Sequence, residues 1–172
     1  MKVVGFAGYS GAGKTTLVEQ VVRELRARGQ SVSVIKHAHH SFDVDQPGKD
    51  SWRHRQAGAY EVLLVSQRRM ALLREWELAE EPHIDSLLPE LGDVDWALVE
   101  GFKFAPICKL EVWRASVGKP AHYPDDPFMV AVVTDDAAQL PAPTARPVLD
   151  INRPAEVVDF LLREAQRFEH AG

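Results

Sequence analysis

The residues whose types and spacing most clearly indicate chemistry form the stretch GYSGAGKTT, residues 8–16. Four of them match the pattern G-x-x-x-x-G-K-[ST], which binds nucleotide phosphates: Gly8, Gly13, Lys14 and Thr15. The glycines allow backbone conformations that bring successive N–H groups onto one anion. Lys14 adds a positive charge for the β- and γ-phosphates, and the Thr15 hydroxyl suits Mg²⁺. The stretch therefore predicts a site for a nucleoside triphosphate.

The glycine-rich stretch stands between two regular elements. Lys2–Ala7 is a short apolar run that predicts a buried strand, and the apolar residues after the stretch recur at helical spacing up to Gly29. The N-terminus of such a helix favours a bound anion. No G-x-G-x-x-G dinucleotide pattern fits the stretch. Tyr9 and Ser10 stand where a variant loop carries a second lysine, which disfavours fast hydrolysis.

Strands alternate with helices along the rest of the chain, which is typical of an α/β fold with a mostly parallel sheet covered on both faces. We predict the three-layer arrangement of P-loop NTPases, with the sheet extended by a β-hairpin, and one nucleotide-binding domain over residues 1–172. Further strands are predicted at 31–37, 60–66, 69–73, 96–99, 108–113 and 129–133. Helices are predicted at 52–59, at 84–91 and from Asn152 onward.

Composition restricts the class of protein. With 172 residues, 45% of them apolar, the chain is long enough to bury a core. Its net charge of −5 disfavours nucleic acid as the main partner. The single cysteine, Cys108, excludes an internal disulfide and fits a reducing compartment. Because no apolar run could span a membrane and the first strand leaves no room for a signal peptide, we expect a cytoplasmic protein with no membrane association.

Parallel sheets bind ligands beyond the carboxyl ends of their strands, and this rule predicts which polar residues meet. Four segments are expected at that edge: 8–15, 36–40, 100–103 and 134–136. Glu100 ends an apolar strand and is the carboxylate expected to hold Mg²⁺ or its water shell. Asp43 and Asp45 are alternatives, in a polar loop of the kind that senses a γ-phosphate.

Two further groups bear on the choice of ligand. Three histidines follow Lys36 in KHAHH, residues 36–40. We interpret Lys36, His37 and His39 as contacts to an anion or substrate rather than as a metal site, because no Cys-x-x-Cys accompanies them. The N-K-x-D string that often reads guanine is absent. Asp135, at the end of VAVVTDD, could read guanine or cap the following turn, so adenine and guanine both stay open.

Four stretches together resemble the molybdopterin-guanine dinucleotide biosynthesis protein B (MobB) family: GYSGAGKTT, VIKHAHHSFDVDQPGKDSWRHRQAGA, LVEGFK and KLEVWR. The second stretch and LVEGFK are far more specific than the glycine loop, which unrelated proteins share. The resemblance implies a GTP-binding accessory protein of molybdenum cofactor maturation, with a P-loop fold of the dethiobiotin-synthetase-like group. It also implies a homodimer, weak GTP hydrolysis, and a guanylyltransferase partner that joins GMP to molybdopterin. Whether molybdopterin contacts this chain stays open.

The resemblance also implies roles for individual residues. GTP phosphates and Mg²⁺ would be bound by Gly11, Ala12, Gly13, Lys14, Thr15 and Thr16. On the metal side, Thr15 and Glu100 are the expected ligands, directly or through water. With no arginine finger or water-orienting glutamine in view, slow turnover is expected.

The remaining assignments lie outside the glycine loop. Asp45 and Lys49 would belong to a mobile loop near the γ-phosphate, and Asp45 joins Lys14 and Glu100 as an expected catalytic residue. Asp135 is the expected guanine reader. The short FAPIC loop after Lys103 and the segment GKPAHYPDDP match no motif, so the surface that binds the partner is unassigned.

Two other classes of protein compete with this interpretation. A small-molecule kinase would use the same loop, with His37 or Asp45 as base and Arg53 and Arg55 in a lid. A metal-delivery GTPase for nickel would depend on the KHAHH cluster. The accessory-protein interpretation is preferred because the loop HHSFDVDQPGKDS resembles that family and no known kinase.

Overall fold

The computed structural model describes residues 1–38, 42–76 and 82–170. In chain order its strands and helices are β1 (Lys2–Ala7), α1 (Lys14–Ala27), β2 (Val32–Lys36), α2 (Asp50–Gln56), β3 (Glu61–Val65), β4 (Met70–Arg74), α3 (Ile84–Leu87), β5 (Trp96–Glu100), β6 (Lys109–Val112), β7 (Met129–Thr134), β8 (Val148–Asp150) and α4 (Pro154–Arg163). They fall into two compact units, Met1–His37 with His83–Gly172, and Ala38–Pro82. One domain over the whole chain stays a prediction.

The first unit is built on a six-stranded sheet in the order β2-β5-β1-β6-β7-β8. Every strand pair in it is parallel, which confirms the predicted α/β fold. Lys36, Glu100 and Phe6 lie at the same level on three neighbouring strands. The carboxyl edge of this sheet therefore collects the polar residues at and beyond these strand ends.

Both faces of the sheet are covered. Val4 and Phe6 of β1 face α1 and α4, which pack against each other. The apolar residues that α1 buries there recur at helical spacing: Leu17, Val18, Val21 and Leu25. Val3 and Ala7 alternate with Val4 and Phe6 and belong to clusters on the opposite face, around α3 and Tyr123. This alternation gives the three layers that the sequence predicts.

Two elements differ from the sequence-based expectation. The segment predicted as one short helix at 84–91 is α3 followed by a 3-10 turn, Leu88–Glu90. Pro89 accounts for the change, because it has no N–H to continue the α-helical pattern. Strand β8 was not predicted, since three residues after a proline-rich loop carry no clear period. Within the described residues, no helix is long and apolar enough to cross a membrane.

The second unit contains α2 and a hairpin of β3 and β4. The strands pair in antiparallel register, with Leu63 opposite Leu72 and Val65 opposite Met70. The predicted hairpin is present, but the predicted extension of the main sheet by this hairpin is not observed among the described residues. In the described part of the chain it forms a separate two-stranded sheet. Ser66 closes its turn, with its N–H donating to the Arg69 carbonyl at 2.8 Å.

Candidate nucleotide site

The loop between β1 and α1 depends on glycines at two positions where another residue would not fit. Gly8 has φ 136°, and a Cβ there would run into the carbonyl oxygen of Val112. Gly13 has φ 96° and immediately precedes the 14-residue helix α1. Its left-handed conformation turns the chain into the helix. The loop therefore lies against the end of β6 and presents its N–H groups together with the N-terminus of α1.

Lys14, the first residue of α1, holds its ammonium group over the loop. Its Nζ donates a hydrogen bond to the Tyr9 carbonyl oxygen at 2.8 Å. Burial lowers the pKa of Lys14; the Glu100 carboxylate opposes this effect and the Lys36 ammonium adds to it. Because a partly desolvated ammonium attracts an anion more strongly than a fully hydrated one, this placement suits a phosphate ligand.

Glu100 and Thr15 meet beside this lysine. Glu100 is 7% exposed, and its Oε1 accepts a hydrogen bond from the Thr15 hydroxyl at 2.6 Å. Lys36 Nζ lies 3.4 Å from Glu100 Oε1 and 3.4 Å from Thr15 Oγ1. Carboxylate and hydroxyl oxygens are the ligands that Mg²⁺ prefers, so the donor set fits this ion. The Lys36 ammonium is attracted by the same oxygens, and a metal ion bound to them would compete with it.

Asp135 lies at the end of β7, as predicted, and its neighbour Asp136 takes the capping role. Asp136 accepts a hydrogen bond from the Ala138 N–H at 2.9 Å, which starts a 3-10 turn. Asp135 instead faces Arg114, with Oδ2 3.5 Å from Nε. A cavity of about 450 Å³ is lined by Asp135, Asp136, Ala115, Ser116 and Gln139. The space beside the carboxylate expected to read guanine is therefore large enough for a nucleobase.

Arg114 was not singled out from the sequence. It directly follows the KLEVW run, and a Cβ built on Gly13 would lie 3.5 Å from its guanidinium. This arginine is therefore close to both the glycine loop and Asp135. The sequence did offer a signal for Arg114: it is a positively charged residue just after a strand that ends at the ligand-binding edge of the sheet.

Asp45 belongs to the second unit, where Arg55 binds several carboxylates. Arg55 Nη1 lies 2.9 Å from Asp43 and 3.3 Å from Asp45, and its Nε lies 2.6 Å from Glu75. Ser51 donates a hydrogen bond to Asp45 at 2.8 Å. Burial raises the pKa of Asp45, but the hydrogen bonds of Ser51, the Gln46 N–H and Arg55 outweigh it and lower that pKa. Asp45 is thus a charged carboxylate held by several hydrogen bonds, and its catalytic role stays a prediction.

The histidine cluster is only partly described. His37 stacks on Phe102, with ring centroids 4.6 Å apart, and Gly101 approaches it so closely that a Cβ would come within 2.7 Å of the His37 Cβ. His39 and His40 lie outside the described residues. Among residues 1–38, 42–76 and 82–170, no group of three or more His, Cys, Asp and Glu side chains could hold a metal ion.

Strand β6 carries two buried charges that the sequence interpretation did not explain. Lys109 is 1% exposed, and its Nζ donates to the carbonyl oxygens of Lys103 at 2.9 Å and Ala105 at 2.7 Å. It also lies 3.0 Å from Asp126 Oδ2. Lys109 therefore holds the loop that follows β5. Charged residues inside an apolar strand were the sequence signal for such a role.

Glu111, on the same face of β6, holds a second loop. It is fully buried, and its carboxylate accepts hydrogen bonds from the backbone N–H groups of His122 and Tyr123 at 2.6–3.0 Å. Burial raises the pKa of Glu111, and those backbone hydrogen bonds oppose the rise. The motif KLEVWR is therefore explained here as a strand whose charges satisfy the backbone of two crossover loops.

The parallel sheet, the glycine loop after β1 and the carboxylate at the end of the neighbouring strand define a protein with the P-loop NTPase-like fold. Comparison with known proteins narrows this class. Residues 3–135 match the model of the MobB family, described as molybdopterin guanine dinucleotide synthesis protein B. The chain belongs to this family, as its four motifs predict.

Individual relatives agree with the family assignment. The chain is 40% identical to the molybdopterin-guanine dinucleotide biosynthesis adapter protein of Haemophilus influenzae, covering 98% of this chain and 92% of the relative. It is 38% identical to the adapter protein of the same name from Escherichia coli K12, covering 96% and 94%. A crystal structure titled molybdopterin-guanine biosynthesis protein B superposes with a TM-score of 0.74 at 25% identity, covering 95% of this chain and 99% of that one.

Proposed function

We propose that this chain is a GTP-binding adapter protein in molybdopterin guanine dinucleotide biosynthesis. It hydrolyses GTP weakly with Mg²⁺ and assists the guanylyltransferase that joins GMP to molybdopterin. The nucleotide assignment rests on one observation: Lys14, Thr15 and Glu100 lie together at the carboxyl edge of the sheet. Support for the pathway comes from the two relatives, both named molybdopterin-guanine dinucleotide biosynthesis adapter proteins.

In this proposal the glycine loop and α1 bind the phosphates. The backbone N–H groups of residues 11–16 surround the β-phosphate, and Lys14 neutralises charge on the β- and γ-phosphates. Bound Mg²⁺ would supply charge neutralisation between these phosphates. Thr15 and Glu100 are the residues that would hold it, and Lys36 supplies a second cation on the γ-phosphate side.

Guanine recognition is assigned to Asp135. Its carboxylate can accept hydrogen bonds from the N1–H and the exocyclic amine of guanine, which adenine does not offer in the same arrangement. The cavity of about 450 Å³ beside it leaves room for the base. The Arg114 guanidinium, 3.5 Å away, supplies positive charge beside this carboxylate.

Slow hydrolysis follows from the composition of the site. The glycine loop has no second lysine, and Tyr9 and Ser10 occupy that part of it. The catalytic role proposed for Asp45, with Lys49 nearby in sequence, rests on the family resemblance. The Asp45 carboxylate is engaged by Ser51 and Arg55, so its action on a ligand requires those bonds to rearrange.

A homodimer is part of the proposal, and the hairpin supports it. One face of β3 and β4 carries Leu63, Val65, Met70 and Leu72, which are 56%, 72%, 69% and 40% exposed. Exposed apolar side chains in a contiguous patch commonly mark a protein interface. Sedimentation of the parent chain should show a dimer, and a Val65→Lys, Met70→Lys double variant should be monomeric. A Val44→Lys control should sediment as the parent; a dimeric double variant would refute this interface.

Calorimetric titration of GTP, ATP and their diphosphates, with and without Mg²⁺, tests the nucleotide assignment. We expect a preference for GTP that Mg²⁺ strengthens and that Asp135→Ala removes. Lys14→Ala should abolish tight binding, because it removes the ammonium group at the phosphates. ATP binding equal to or tighter than GTP binding would discard the role of Asp135 and favour a small-molecule kinase.

A further inference from the structure

The two segments that match no sequence motif form the walls of one cavity. The loop after β5 contributes Lys103 and Phe104, and the loop before β7 contributes His122, Asp125 and Phe128. The cavity has a volume of about 390 Å³, within the range of small-molecule sites in proteins. It is separate from the cavity beside Asp135.

The loops that line this cavity are held by buried charges. Lys109 binds two carbonyl oxygens of the first loop and Asp126 of the second. Glu111 binds the backbone at His122. A strand that uses two buried charges to order two loops gives the cavity a fixed shape, which lowers the entropic cost of binding.

The cavity also contacts the glycine loop. His122 stacks on Tyr9 with ring centroids 5.0 Å apart, and Lys103 Nζ lies 5.6 Å from the centre of the Tyr9 ring. His122 Nε2 is buried and has no hydrogen-bond partner among the described residues. A buried polar atom without a partner is costly, so a ligand that supplied one here would be favoured.

Three chemical features of the lining specify a ligand class. Phe104 is 83% exposed and Phe128 is 41% exposed, so flat aromatic surfaces are available for stacking. Lys103 Nζ lies 4.7 Å from the centre of the Phe104 ring and offers a cation for a phosphate beside a stacked ring. Asp125 offers a carboxylate for N–H donors. A planar heterocycle with an amino edge and a phosphate matches all three.

We propose that this cavity binds a phosphorylated 2-amino-4-oxo heterocycle, of the pterin or guanine type, next to the glycine loop. Its ring stacks on Phe104, its phosphate faces Lys103, and its amino edge faces Asp125. The inference rests on the proposed function, because both ring systems occur in the dinucleotide for which the relatives are named. Tyr9, a residue of the glycine loop, then lies beside this ligand, which places two ligands next to one loop.

The test is a titration of the full chain with two probes, neopterin monophosphate and GMP, after saturating the glycine loop with a non-hydrolysable GTP analogue and Mg²⁺. Phe104→Ala should weaken binding of the probe about tenfold, as loss of one stacking contact does. Lys103→Gln should reduce the preference for neopterin monophosphate over unphosphorylated neopterin. Phe42→Ala is the matched control, an exposed phenylalanine in the other unit, and should bind as the parent.

Each outcome decides a different point. Binding of neopterin monophosphate alone identifies a pterin site, and binding of GMP alone identifies a guanine site, provided that Phe104→Ala weakens it. Failure of both probes to bind, or equal binding by Phe104→Ala and the parent, would overturn the proposal. A parent that binds the pterin probe but not GTP, in a titration without the analogue, would refute the proposed nucleotide site and leave the cavity assignment standing.

Discussion

The main sheet carries two pairs of lysine and glutamate residues, and the two pairs contact different kinds of group. Lys36 and Glu100 end β2 and β5, and their side chains contact each other and the Thr15 hydroxyl. Lys109 and Glu111 lie within β6 and bind the backbone of two loops. A charged side chain at the end of a parallel strand is available to bind a ligand, whereas a charged side chain within the strand binds the backbone of neighbouring loops.

The energetic consequences of the two pairs also differ. Lys36 is 57% exposed at its side chain, so its ion pair is screened by water and contributes little stability. Lys109 and Glu111 are buried, and removal of either leaves polar groups without partners in a medium of low dielectric constant. Mutations of the first pair should therefore affect mainly ligand binding, and mutations of the second pair should affect mainly the stability of the fold.

The largest expected effect is on stability. Lys109→Met keeps the length of the side chain but removes the ammonium group that binds the carbonyl oxygens of Lys103 and Ala105 and the Asp126 Oδ2. We expect the free energy of unfolding to fall by about 3–5 kcal/mol, as when one partner is removed from a buried ion pair. Urea unfolding followed by circular dichroism measures it, with Lys36→Met as the matched control. A loss of similar size in both variants would contradict the division between the pairs.

The next effect concerns metal-dependent binding. Glu100→Gln removes the charge of the proposed metal ligand while keeping its shape. We expect the affinity for GTP in the presence of Mg²⁺ to fall about tenfold to hundredfold, with little change in its absence. Calorimetry with and without Mg²⁺ measures the difference. The proposed metal role fails if Mg²⁺ strengthens GTP binding in the variant as much as in the parent.

A smaller effect is expected for Lys36→Met. The loss of a solvent-accessible cation near the γ-phosphate should weaken GTP binding by about fivefold to tenfold while leaving GDP affinity nearly unchanged. Titration of both nucleotides into this variant and into Lys119→Met, an exposed lysine elsewhere, gives the comparison. Equal losses for GTP and GDP would mean that Lys36 does not distinguish the γ-phosphate.

The smallest effect is a dependence of stability on pH. Because burial raises the pKa of Glu111 in the folded chain, the folded state binds more protons than the unfolded state between the ordinary and the raised pKa. This contribution is fully present below the ordinary carboxyl pKa and is lost as pH rises through the raised value. As pH rises from the ordinary to the raised pKa, the parent should therefore lose stability relative to Glu111→Gln. Unfolding curves of both proteins, recorded at the same series of pH values, measure this difference. A constant difference would show that Glu111 does not titrate there.

Much of the fold was predictable because its signals are local. The glycine pattern, the helical spacing after it and the apolar runs of β1, β5 and β7 each depend on neighbouring residues. The rule that parallel strands end at one edge then correctly placed Glu100 beside Thr15. The hairpin was also predicted from its two strands, but its separation from the main sheet depends on pairing that no local pattern encodes.

The amino-acid sequence by itself determined the order of the elements, the glycine loop and the family, because backbone conformation and apolar periodicity are properties of short segments. Tertiary structure alone decided that Glu111 orders a loop while Glu100 faces the candidate site, since both are glutamates on apolar strands. It also brought Phe104 and His122 to one cavity and stacked the Tyr9 ring on His122. The role of a buried charged side chain depends on which loop, distant in sequence, packs against it. The loops that connect these strands match no sequence motif, so the sequence does not predict that contact.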